Sequence, residues 1–144
     1  MEILRGIPKI LPPEFVKYMM EMGHADFLVL ADANFPGTSH SKRLIRMDSV
    51  SLEPLLEAVL PLFPLDSFVD DSVRLMRNLP TEPVPEVWKT YRKLLEKYDK
   101  DGAFKDFAFL DRLDFYDLAE KAYVVVQTGD EVRYGNIILQ KGCC

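Results

Sequence analysis

Cysteine is nearly absent: the chain has two, Cys143 and Cys144, both at its C-terminal end. A framework disulfide needs partners in different parts of the chain, so none is available, and a reducing compartment is the expected setting. Glycine is sparse at seven residues. None of it forms a Walker-type loop or a glycine-rich dinucleotide fingerprint. There are two histidines, His24 and His40, without metal-ligand spacing. With the cysteines terminal, a zinc or iron site is not expected. No internal cysteine and no Gly-x-Ser-x-Gly elbow offers a nucleophile. The longest apolar runs, such as Phe27 to Ala31 and Ala122 to Val126, reach about five residues, against the about 20 that span a membrane. The first ten residues carry Glu2 and Arg5 and break at Pro12-Pro13, which is not a signal-peptide core. No cluster of basic residues exceeds two or three, and 18 of them against 23 acidic ones leave a formal charge of -5. A nucleic-acid binder draws its affinity from neutralising phosphates and needs the opposite balance. What remains is acid–base chemistry or binding with no cofactor and no metal. The expected setting is a soluble cytoplasmic protein that engages neither nucleic acid nor membrane.

What is present is an ordinary globular mix, 48% apolar and 28% charged over 144 residues. That length predicts one domain, residues 1–144, burying roughly two thirds of the unfolded chain's surface. Pro12-Pro13 opens a helix carrying Phe15, Val16, Met19, Met20 and Met22, with Gly23 as its stop. Phe27 to Ala31 reads as a central strand buried on both faces. Leu44 to Met47 reads as a strand, and Leu52 to Leu62 as a helix capped by Ser51. Ser67 to Val69 and Val73 to Met76 read as two more strands. Val87, Trp88, Tyr91, Leu94, Leu95 and Tyr98 form one apolar helical stripe, ended by Gly102. Phe107 to Leu110, Tyr123 to Gln127 and Ile137 to Leu139 complete the strands, with a short helix over Asp114 to Lys121. Alternating helices and strands give the class α/β: one domain, a mostly parallel or mixed sheet flanked by helices.

Within that frame, His24 lies between a helix end and the central strand, with Asp26 beside it. Histidine suits proton transfer near neutrality; a capping or packed histidine is the plainer reading, and Asp26 could serve to orient the ring. His40 sits in a polar stretch and reads as a solvated loop residue. Asp32 directly follows the central strand. It can accept from vicinal hydroxyls or close an Asx-turn. Arg112, Phe115 and Tyr116 gather at a strand-to-helix junction, where Arg112 could hold oxygens or pair with Asp111 or Asp114. Tyr134-Gly135-Asn136 offers a phenol and an amide around a glycine that permits close approach; its alternative is a simple turn.

Several short motifs then fall in collinear order. They are Met22-Gly23-His24-Ala25-Asp26, Leu30-Ala31-Asp32-Ala33-Asn34-Phe35-Pro36, Ile45-Arg46-Met47-Asp48 and Leu62-Phe63-Pro64-Leu65-Asp66-Ser67. Arg112-Leu113-Asp114-Phe115-Tyr116 and Thr128-Gly129 with Tyr134-Gly135-Asn136-Ile137-Ile138-Leu139 follow. From about Gly6 to Gly142 the chain resembles the fucose mutarotase and ribose pyranase family. The Arg-x-x-Phe-Tyr segment, Tyr-Gly-Asn, Phe35-Pro36 and Pro64 to Asp66 resemble the fucose branch. Ala25, Asn34 and Ser49 depart from the usual pattern. The resemblance implies interconversion of the α and β anomers of L-fucose, with D-ribose pyranase activity or a non-catalytic monosaccharide-binding module as the alternatives. It implies His24 as the acid/base group and Tyr116 as a second proton-transfer group. Asp32, Arg112, Tyr134 and Asn136 would hold the sugar, with Asp66 a further candidate. It also implies a homo-oligomer, often a decameric ring, with sites between subunits.

Overall fold

The computed structural model describes residues 2–144. A two-stranded antiparallel hairpin, β1 (Glu2–Leu4) and β2 (Ile7–Pro8), precedes α1 (Pro13–Glu21). The main sheet has six strands: β3 (Phe27–Ala31), β4 (Leu44–Met47), β5 (Val73–Met76), β6 (Ala108–Leu110), β7 (Val124–Thr128) and β8 (Ile137–Gln140). Their order is β4-β7-β3-β8-β5-β6. Pairs β3/β7, β4/β7 and β5/β6 are parallel. The last strand, β8, runs antiparallel to both its neighbours, β3 and β5. The sheet is therefore mixed, as the alternation of elements predicts.

Period-two burial assigns the two faces. Leu28, Leu30, Val124, Val126, Ile137 and Leu139 point to one side, where they meet α1, α2 (Leu52–Val59) and α3 (Val87–Tyr98). Val29, Ala31, Val125 and Ile138 point to the other, which carries α4 (Arg112–Lys121). Three helices cover one face and a single ten-residue helix the other. The fully buried Phe115 anchors that lone helix, with its ring edge-on to Phe35 at 5.9 Å. The second face stays partly open beside α4, and this opening becomes the cleft described below.

Several boundaries differ from the sequence reading for local reasons. Helix α1 stops at Glu21, with Met22 as cap; the left-handed residue is Ala25 (φ 72), not Gly23. Helix α2 ends at Val59, before Pro61, and the Ser51 side chain makes no capping hydrogen bond. Helix α3 ends at Tyr98, and Gly102 takes its positive φ in the following loop. Residues 67–69 form no strand: the Phe68 N–H is taken by the Asp66 side chain at 3.0 Å rather than by a neighbouring strand. No helix among the described residues is long and apolar enough to cross a membrane.

Candidate functional site

The antiparallel pair β3/β8 carries a polar cluster at each end. At the C-terminal end of β3, Asp32 leaves the strand opposite the start of β8, where Asn136 stands. The buried Asn136 Oδ1 accepts the Asp32 backbone N–H at 2.7 Å. One Asp32 carboxylate oxygen accepts the Asn34 N–H at 3.0 Å, so the Asx-turn reading is realised. Asp32 also lines a cleft of about 720 Å³ together with Phe35, Met76, Arg112, Tyr116, Tyr134 and Asn136. Burial pushes the Asp32 carboxyl up. The N–H groups of Asn34 and Phe35 and the Asn136 amide pull against this, the charge of Asp130 adds to it, and the net shift is upward.

The Tyr134-Gly135-Asn136 turn is held from behind by α3. Trp88 Nε1–H donates to the Tyr134 carbonyl at 2.9 Å, and Tyr91 O–H donates to the Gly135 carbonyl at 2.8 Å. Tyr134 itself has a positive φ of 55°, a strained conformation of the kind found where function fixes the chain. A Cβ at position 135 would meet Val132 Cγ1 at 2.5 Å and Leu52 Cδ1 at 2.9 Å, so only glycine lets the turn pack this closely. The Tyr134 hydroxyl accepts the Leu79 N–H at 3.3 Å. On the facing wall, the Arg112 guanidinium lies 5.7 Å from the Tyr116 ring centre. It is Arg77 that pairs with Asp111, at 3.2 Å.

His24 is not in this cleft. It precedes β3, at the other end of the strand pair. Its Nε2 lies 3.1 Å from Asp66 Oδ2, and Asp66 is bonded to Gln140 Nε2–H at 2.9 Å, at the far end of β8. Four residues of strand separate Gln140 from Asn136, roughly 13 Å. Asp66 is 2% exposed and sits against His24, outside the residues that line the cleft. The orienting role expected of Asp26 is also unfilled: its carboxylate accepts the Gly23 N–H at 2.7 Å. His40 is not a free loop residue. Its ring stacks on Tyr116 with centroids 5.0 Å apart, and its Nδ1 lies 3.0 Å from Glu120.

The structure therefore gathers Asp32, Arg112, Tyr116, Tyr134 and Asn136, and sets His24 and Asp66 apart as a second cluster. The sequence reading missed Arg77, Asn78, Leu79 and Pro80, which also line the cleft. They lie at the start of a proline-rich loop, where no periodicity marks a side chain as facing a site. It also missed Gln140, which reads as an ordinary strand residue. No group of three or more metal-ligating side chains that could hold an ion occurs among the described residues.

Burial alone would raise the Asp66 carboxyl, but hydrogen bonds from Phe68 N–H, His24 and Gln140 outweigh it and hold it below its ordinary value. A depressed carboxylate contributes stability that is present above the unfolded pKa and lost as pH falls through the folded one. Denaturation midpoints of the wild type and Asp66→Asn should therefore be well separated at neutral pH and converge below about pH 4. A gap that persists unchanged at low pH would contradict this account of the cluster.

Known proteins resemble this chain over nearly its whole length. The model of the RbsD / FucU transport protein family matches residues 5–144. A fucose mutarotase from Danio rerio is 44% identical over 150 residues, covering 99% of this chain and 95% of that protein. An L-fucose mutarotase from Haemophilus influenzae is 42% identical, covering 97% and 96%. The crystal structure of the fucose mutarotase from Streptococcus pneumoniae in complex with L-fucose superposes with a TM-score of 0.91 at 44% identity, covering 98% of this chain and 99% of that one. RbsD of Bacillus subtilis, solved with D-ribose, shares the fold with a TM-score of 0.69 at 21% identity, covering 93% and 95%. A match over nearly the whole chain, with the same sheet and helices beneath it, makes this protein a member of the RbsD / FucU family.

Proposed function

We propose that this protein is an L-fucose mutarotase, an isomerase that interconverts the α and β anomers by opening and reclosing the pyranose ring. The observation that carries the reading is the cleft in which Asp32, Arg112, Tyr134 and Asn136 meet. It lies in a chain 44% identical to a fucose mutarotase solved with L-fucose. A neutral sugar asks for donors and acceptors rather than net charge, and these four side chains supply both. Phe35, Met76 and Leu79 add apolar wall against which the 6-methyl group of fucose can pack.

Ring opening takes the proton from the anomeric hydroxyl and delivers one to the ring oxygen as the C1–O5 bond breaks. The free aldehyde turns about C1–C2, and the O5 hydroxyl adds to its other face with the transfers reversed. No bond to the protein forms. His24 serves one oxygen, and Tyr116, or a water held by Asp32, serves the other. A positioned acid or base contributes roughly 10²–10⁴-fold.

His24 and the cleft lie at opposite ends of the β3/β8 pair, so a complete site needs two copies of the chain: His24 from one and the cleft from the next. The Phe68 ring, 78% exposed and centred 5.5 Å from His24, supports such packing. A separate exposed apolar group, Met20 of α1 at 82% with Ile3 and Leu4 of the hairpin at 81% and 66%, lines one hollow of its own. Patches of this kind mark protein interfaces. A closed assembly in which each His24 end meets a neighbour's cleft supplies such a site, either as an isologous pair or as a head-to-tail ring. The free, exposed Cys143 and Cys144 agree with a cytoplasmic setting.

The test is polarimetry of freshly dissolved α-L-fucose with catalytic protein, with D-ribose followed in parallel by NMR. Faster relaxation for fucose supports the reading. Acceleration of ribose alone moves the chain to the pyranase activity, and binding without acceleration makes it a binding module. The cleft also predicts a trade between stability and binding. Replacing the buried, upward-shifted Asp32 by asparagine removes a disfavoured charge, so Asp32→Asn should melt no lower than the wild type. It should bind L-fucose about 10- to 100-fold more weakly, the loss of a charge-assisted hydrogen bond. A variant that melts lower, or binds as tightly, would contradict that assignment.

A further inference from the structure

The loop that follows β3 does more than present Asp32: further along, it returns to α4 with His40. Hydrogen bonds fix its course. Gln127 of β7, 4% exposed, donates through Nε2 to the Ala33 carbonyl at 3.1 Å and to the Phe35 carbonyl at 2.7 Å. The Gly37 N–H donates to the Phe35 carbonyl at 2.8 Å, and the His40 N–H to the Pro36 carbonyl at 3.1 Å. On α4, Arg112, Tyr116 and Glu120 fall at i, i+4 and i+8 and so share one face. The loop meets this face twice, with the Phe35 ring and with the His40 ring.

The Tyr116 ring is gripped by its neighbours. Phe35 meets it edge-on, centroids 5.5 Å apart at 85°, and His40 stacks on it at 5.0 Å and 28°. The Arg112 guanidinium lies 5.7 Å from its centre. His40 is itself tethered, its Nδ1 facing Glu120 Oε1 at 3.0 Å; an ionised carboxylate only accepts, so the imidazole donates. Glu120 is 48% exposed, and a pair this open adds little stability. Its effect is to set the angle of the imidazole, and with it the plane against which the phenol lies. These contacts engage the ring, not the hydroxyl that the reaction needs. We propose that His40 is the positioning residue of Tyr116: stacked on the phenol and tethered to Glu120, it holds the ring in the orientation from which the hydroxyl transfers a proton in the cleft. The inference rests on Tyr116 being the second proton-transfer group of the proposed mutarotase. A proton passes only over a short, aligned contact, so a phenol free to swing spends less time in the productive geometry. His40 is not among the residues that line the cleft, so its influence on rate passes through Tyr116.

The first measurement is kinetic. His40→Ala should lower kcat for fucose anomer exchange about 10-fold, with KM changed less than about threefold. His40→Phe keeps a flat ring over the phenol and gives up the Glu120 bond; it should recover most of that loss. In a Tyr116→Phe background His40→Ala should cost nothing further, because its effect runs through the hydroxyl. Wild-type kcat in His40→Ala, a His40→Phe variant as slow as His40→Ala, or an equal loss in the Tyr116→Phe background overturns the inference. The second measurement needs no turnover. Ring-flip rates are read by NMR on ¹³C-tyrosine protein, with Tyr116 assigned by the signals that Tyr116→Phe removes. Flipping should be about 2- to 10-fold faster in His40→Ala, the worth of one aromatic pair. Unchanged flipping overturns the inference whatever the kinetics. Faster flipping, with no fucose turnover in the wild type or with Tyr116→Phe as active as the wild type, instead overturns the reading on which it rests.

Discussion

A folded His24→Ala variant should lose catalysed exchange between the anomers of L-fucose, by roughly 10²–10⁴-fold, while it still binds the sugar. The split follows from the layout. Asp32, Arg112, Tyr134 and Asn136 sit in the cleft, whereas His24 stands beyond the other end of β3, on the 2% exposed Asp66. In the proposed mechanism, removing the imidazole takes away a proton carrier and leaves the cleft's hydrogen-bonding groups in place. It should also fold, since the His24 side chain is 45% exposed. Saturation transfer between the two anomeric protons measures the rate, and calorimetry with L-fucose measures binding. Wild-type exchange in this variant would remove His24 from the reaction. Loss of binding together with exchange would make it a sugar-holding residue instead.

Phe115→Ala should be the most damaging single substitution away from the polar groups. The ring is fully buried and lies between α4 and the strands that present Val29, Ala31, Val125 and Ile138. No second helix on that face can take over its contacts, because α1, α2 and α3 pack on the other. Truncating a core phenylalanine to alanine costs about 3–5 kcal/mol. Helix α4 also begins with Arg112 and carries Tyr116, so loosening its anchor should weaken sugar binding as well as lower the melting temperature. Thermal denaturation and fucose titration of the same sample check both effects. A variant that melts like the wild type would mean that the lone helix is held by something other than its buried ring.

Elements with a strong period of their own were legible in the sequence. The stripe through Trp88, Tyr91, Leu94 and Leu95 is α3, and these four residues are buried as the spacing requires. Phe27 to Ala31 is the strand between β7 and β8, and it is apolar at every position because packed helices cover both of its faces. The β1/β2 hairpin left no such trace, because three residues against two are too short to show alternation. The cleft was legible in parts. Asp32 and the Tyr134-Gly135-Asn136 turn stand at strand ends, where α/β proteins place reactive groups. Their meeting depends on β8 running antiparallel to β3, and nothing local in the sequence specifies a strand's direction. The partner of His24 was hidden for the same reason. Asp66 is 42 residues away and becomes its neighbour through tertiary structure, whereas Asp26, the carboxylate near it in sequence, turns back to the Gly23 N–H.

The most direct test of the central claim, one sugar site built from opposite ends of two copies, is complementation. His24→Ala and Arg112→Ala chains, each inactive alone, are co-assembled in equal amounts, and mixed oligomers are verified by native mass spectrometry. Anomer exchange of L-fucose is then followed by NMR. A site that draws His24 from one chain and the cleft from its neighbour regains activity, since random mixing makes about a quarter of the sites fully wild type. Verified mixed oligomers as inactive as their parents would contradict the shared site.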